Sequence, residues 1–281
     1  MSGVRLAWDL LRAEGLRGLA ERLAERAEAL RARLEERALT PERLAREAGP
    51  APVLDVLASP LAPRWGGVPA QLGARRAEEA RLRTTALLSP EGRRWTLRAT
   101  RGAEVFRARL GPCGDVARSG HVAGDPGGDA RAAVEQVVAA ARLVGASVVN
   151  VEGAAGWPPG ALRSLAAELR GGGATEGATS GAARGIRLVL SLHDFALFCP
   201  RPNLVEAPGA RFCAYSRDAE RCGACLAATW RLPEGFVEEW RRDAAALLAE
   251  ADAMVYSSEL LLRRHAELFP GARGGVERAI A

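Results

Sequence analysis

Lysine is absent from the 281 residues, so all 39 basic residues are arginine. A GC-rich coding sequence accounts for this as well as a nucleic-acid role does, because the arginines are interspersed with 34 acids and form no basic stripe. Nucleic acid is therefore not an expected partner. No apolar run reaches the roughly 18 to 20 residues a membrane span needs, and Met1 to Arg12 carries Asp9 and lacks the apolar stretch of a signal peptide. The expected location is the cytoplasm, with no transmembrane segment. Aromatic residues are few, at 5%, while hydrophobic residues reach 48%, which is ordinary for an α/β protein rich in Ala and Leu. Only five cysteines and three histidines occur, and in a reducing compartment clustered cysteines favour metal or thiol chemistry over structural disulfides.

Two regions differ in pattern. In residues 1–49, Leu16, Leu19, Leu23, Ala27, Leu30 and Leu34 recur at helical steps with Glu and Arg on the other faces. This predicts a helical arm. A short coiled coil, a partner helix or a helix lying on the membrane surface would fit it, but we read it as a helix laid across the following domain. From residue 50 to 281, short apolar runs alternate with helical stretches. Strands are expected at Val53–Ala58, Leu82–Leu88, Ser147–Val151, Ile186–Leu192 and Ala253–Tyr256, with a hairpin at Trp95–Thr100 and Glu104–Leu110. Helices are expected at Pro69–Arg81, Asp129–Leu143, Gly160–Arg170, Phe236–Leu248 and Glu259–Leu268. Gly171 to Gly185 reads as a flexible loop. The alternation predicts an α/β domain with a parallel sheet covered by helices on both faces. Ligands then bind beyond the carboxyl ends of the strands, which selects the loops Pro60–Pro69, Asn150–Pro159 and His193–Trp230.

These loops hold the candidate chemistry. Gly66-Gly67, before a helix start, lets backbone N–H groups approach a phosphate, although many such pairs only turn the chain. His193-Asp194 ends an apolar run suited to a central strand, and so delivers an imidazole and a carboxylate to the ligand edge. The plainer reading is that Asp194 caps the next turn and His193 packs beneath it. Cys199, Cys213, Cys222 and Cys225 are spaced C-x13-C-x8-C-x2-C. Cys222-Gly223-Ala224-Cys225 is suited to a zinc knuckle, and four thiolates leave no open position, so a zinc ion here would be structural. An iron–sulfur cluster or uncoordinated thiols are the alternatives. Cys113 has no neighbouring partner. Glu259 and Glu267 read as solvated surface.

In this order, Gly66-Gly67-Val68-Pro69, Val148-Val149-Asn150-Val151-Glu152-Gly153, Leu192-His193-Asp194-Phe195 with Cys199-Pro200-Arg201, the three later cysteines, and Ala251-Asp252 to Ser257-Ser258 resemble the N-terminal half of family 4 glycosyltransferases, the retaining enzymes of GT-B fold. The resemblance spans Pro52 to Phe269. It implies a Rossmann-like acceptor-side domain and a nucleotide sugar as donor substrate. The acceptor would be a saccharide or lipid-linked molecule of envelope or exopolysaccharide synthesis, met at the inner face of the membrane. It also implies that Gly66 and Gly67 contact donor phosphate, that His193 and Asp194 line the catalytic cleft, that Asn150, Glu152 and Arg201 touch substrate, and that the cysteine window folds beside the acceptor mouth. Many family members carry His at the positions of Asn150 and Glu152. The family's second half binds the donor. With the chain stopping at Ala281, a separate donor-binding chain is the expected partner. The alternatives are a non-catalytic glycan-binding or scaffolding module, and a metal-dependent hydrolase or thiol enzyme built on the cysteine window.

Overall fold

The computed structural model describes residues 51, 53–57, 76, 78–81, 84–91, 94–101, 103–112, 126–171, 185–201, 203–207, 209–228, 232, 234–271 and 276–279. The predicted arm, Gly66-Gly67, Cys113 and the interior of the Gly-rich loop lie outside the described residues.

Eight strands form one sheet in the order β4-β3-β2-β1-β5-β6-β7-β8. They are β1 (Val53–Leu57), β2 (Thr85–Glu91), β3 (Arg94–Arg101), β4 (Ala103–Pro112), β5 (Val148–Glu152), β6 (Arg187–Leu192), β7 (Ala253–Tyr256) and β8 (Val276–Ala279). β2, β1, β5, β6, β7 and β8 run parallel, and β3 and β4 extend the sheet antiparallel beyond β2. The α/β class with a mostly parallel sheet is thus as the alternation predicts. Strand order reverses beside β1: the chain first steps outward to β2, β3 and β4, then returns to lay β5 on the other side of β1.

Among the described residues, helices include α1 (Pro126–Leu143), α2 (Pro159–Gly171), α3 (Ala219–Ala227), α4 (Phe236–Glu250) and α5 (Glu259–Leu268). Leu162, Leu165, Ala166 and Leu169 recur every three or four residues and give α2 a buried face. That face meets α1, α4 and β6, and each buried leucine contributes roughly 1.5–3 kcal/mol. Leu54 and Val56 of β1, Val149 and Val151 of β5, and Leu188, Leu190 and Leu192 of β6 join the same core. Side chains alternate across a strand, so the opposite face receives Asp55, Asn150, Glu152 and Ser191, all buried. Arg76, in the helical residues 76 and 78–81, covers that face at β1 and β2.

Three expectations need correcting. The strand placed at Leu82–Leu88 runs from Thr85 to Glu91, because Ser89 pairs with Thr96 and Pro90 with Trp95, which carries β2 past Leu88. β8 was not foreseen. Cys222-Gly223-Ala224-Cys225 is not a knuckle turn but lies within α3, which Asp218 starts by accepting from the Arg221 amide at 2.9 Å, with Glu220 in the first turn.

Candidate functional site

A chain of polar side chains crosses the buried face at the point where strand order reverses. Arg76 Nη1 donates to Asp55 Oδ2 at 2.7 Å and to the Ala86 carbonyl at 2.7 Å, and Nη2 donates to Thr85 Oγ1 at 3.3 Å. Asp55 faces Asn150 in register across the β1/β5 pair. Asn150 Nδ2 donates to Asp55 Oδ1 at 2.9 Å and to Glu152 Oε1 at 2.7 Å, while its Oδ1 accepts from Ser191 Oγ at 2.9 Å. Both amide hydrogens are used, so Asn150 acts inside the sheet and offers no donor to a ligand. This departs from its expected role as a substrate contact.

The chain ends at the ligand edge. Glu152 Oε2 lies 3.2 Å from His193 Nε2. Gly153, at φ +84°, turns the backbone out of the sheet immediately after Glu152, in a conformation that costs glycine little. Its amide donates to the Ser191 carbonyl at 2.8 Å, fastening the ends of β5 and β6. With Nε2–H donating to the carboxylate, the lone pair of His193 sits on Nδ1, a buried atom with no hydrogen-bond partner. The carboxylate thus fixes the orientation of the ring at the ends of β5 and β6.

Asp194 follows the plainer expectation: its Oδ1 accepts from the Ala196 amide at 2.8 Å and caps the turn after β6. Burial pushes this carboxyl above its ordinary range, with the Ala196 amide and His193 pulling the other way. Trp240 Nε1 donates to the Ala196 carbonyl at 2.9 Å and so ties that turn to α4. Arg201, expected to touch substrate, lines a cavity with Cys199, Cys213, Cys222 and Cys225. Among the described residues, no three His, Cys, Asp or Glu side chains are placed to hold one metal ion, and no helix is long and apolar enough to cross a membrane.

The structure therefore brings Asn150, Glu152 and His193 together and adds Asp55, Arg76 and Ser191, which were not singled out in the sequence. Asp55 could have been found: one acid in the middle of an apolar central strand needs a partner. No protein-family model, no curated protein and no solved structure matches this chain.

Proposed function

We propose that this chain is the Rossmann-like acceptor-side half of a retaining GT-B glycosyltransferase. It would bind a saccharide or lipid-linked acceptor for sugar transfer from a nucleotide sugar. The observation that carries the reading is the Glu152–His193 pair at the carboxyl ends of β5 and β6, next to the reversal of strand order beside β1. Glu152 holds the imidazole through Nε2–H and so fixes the ring at the strand ends where the acceptor would lie. Gly66 and Gly67 would meet the donor diphosphate from the loop after β1.

The test mixes the chain with donor-binding halves of GT-B enzymes supplied as separate chains, with nucleotide sugars and with labelled saccharide acceptors. Transfer should appear and should fall roughly 10²-fold or more in His193→Ala and Glu152→Ala. Absence of transfer with every pairing, or variants as active as the parent, would sink it.

One observation favours a second reading, a glycan-binding module without catalysis: the amide of Asn150 is saturated within the sheet. Such a module would bind glycans with no donor present and stay inactive after Asn150→His with Glu152→His.

A further inference from the structure

The cysteine window is a second site, built on different elements from the Glu152–His193 pair. Cys199 follows β6, Cys213 follows a one-bridge hairpin in which Val205 pairs with Phe212, and Cys222 and Cys225 sit one turn apart on α3. The hairpin brings distant sequence together, because the Cys213 amide donates to the Leu204 carbonyl at 2.9 Å and the Leu204 amide to the Arg201 carbonyl at 3.0 Å. All four thiols thereby line one cavity of about 20 Å³, room for one water molecule or one ion.

What surrounds the sulfurs suits negative charge. Arg241 Nη2 donates to Cys222 Sγ at 3.3 Å, and the Ala207 amide to Cys225 Sγ at 3.4 Å. Such N–H···S bonds are the outer-shell contacts that orient thiolate ligands. Arg201 and Arg241 line the cavity, as do Arg221 and the Glu206 carboxylate it pairs with, and a divalent ion with four thiolates would leave two negative charges for Arg201 and Arg241 to balance.

We propose that Cys199, Cys213, Cys222 and Cys225 hold one structural zinc ion that pins residues 199–225 beside the turn carrying His193. Four soft ligands select a tetrahedral metal such as zinc, and the Glu206 carboxylate that shares the lining is already held by Arg211 and Arg221. As the side chains stand, no three share one ion, so closure requires the thiols to turn about their single side-chain torsion onto the cavity they already line.

The experiment is metal analysis of the full chain purified without chelator, with native thiol titration and intact mass. The expected result is one zinc per chain, four thiols protected from alkylation until zinc is removed, loss of the metal in Cys222→Ser and Cys225→Ser, and retention in Cys113→Ser. Because the Ser variants can misfold, Co²⁺ is also titrated into chelator-treated parent protein, where a thiolate-to-cobalt charge-transfer band is expected. The proposal is overturned by a metal-free chain with no such band, by iron with acid-labile sulfide, or by a mass showing the cysteines paired as disulfides.

Discussion

Asp55 and Asn150 stand 95 positions apart in sequence and 2.9 Å apart across the β1/β5 junction. The amide separates two buried carboxylates, Asp55 on one side and Glu152 on the other, by donating one hydrogen to each. Asn150→Ala should destabilise the fold by about 1–3 kcal/mol, because polar groups remain buried with a partner removed. Asp55→Ala should cost more, about 3–5 kcal/mol, by stranding the buried Arg76 guanidinium. Urea unfolding checks the order of the two variants, and equal losses would refute the assigned roles.

His265 is buried, with its Nδ1–H donating to the Leu261 carbonyl at 3.0 Å and its ring stacked on Phe195 at 5.4 Å. Burial lowers its ionisation to about 4, against an ordinary value of 6.5. The unfolded chain therefore binds the proton more readily between these values. Stability from this residue is fully present above about pH 6.5 and is lost as pH falls toward 4, by about 3 kcal/mol in all. His265→Phe keeps the ring and removes the titration, so its unfolding midpoint should be flatter than the parent's over that range. Parallel pH profiles would contradict this.

Arg241 is the fastening of the cysteine window. Nε donates to the Phe198 carbonyl at 3.1 Å, Nη2 to the Ser216 carbonyl at 2.9 Å, and the guanidinium lies 4.1 Å over the Phe198 ring. Arg241→Ala should cost about 2 kcal/mol and speed trypsin cleavage after Arg211 and Arg217. Arg241→Lys should recover little, because an ammonium cannot reproduce the planar fork. Equal cleavage rates in all three proteins would refute this role.

Gly185 closes the return from α2 to β6. A Cβ there would meet the Arg170 Cα at 2.9 Å and its carbonyl oxygen at 3.0 Å, both backbone. Gly185→Ala should destabilise by roughly 1–3 kcal/mol, read from thermal unfolding, and an unchanged midpoint would show that the backbone yields.

Where hydrophobic period and end signals agree, the sequence was legible to the residue: β7 and α5 fall where Ala253–Tyr256 and Glu259–Leu268 predict them. α3 was missed because Ala219 to Ala227 buries only Leu226 and its Cys222-Gly223-Ala224-Cys225 reads as a metal knuckle. β8, Val276–Ala279, was missed because two of its four residues are charged and break any apolar run, unlike the equally short β7. His193 was legible because it ends a strand-like run, whereas Glu152 was singled out only through the resemblance. Arg76 was not legible, because its tie to Asp55 is tertiary and nothing near it in sequence announces a buried partner. Among the described residues, the non-glycine positions with left-handed backbone, Leu204, Ala210, Ala214 and Tyr215, were also invisible, since local preference opposes that conformation for any residue with a Cβ.

The 95-residue separation of Asp55 and Asn150 is also an interval of time. At a synthesis rate of about 5–20 residues per second, β1 leaves the ribosome roughly 5–20 s before the strand that covers its inner edge. During that wait, Val-Leu-Asp-Val-Leu is a short β-prone segment with a bare edge, and the carboxylate at its centre is the kind of charge that discourages pairing with other chains. Asp55 thus guards the nascent strand before it anchors the finished sheet.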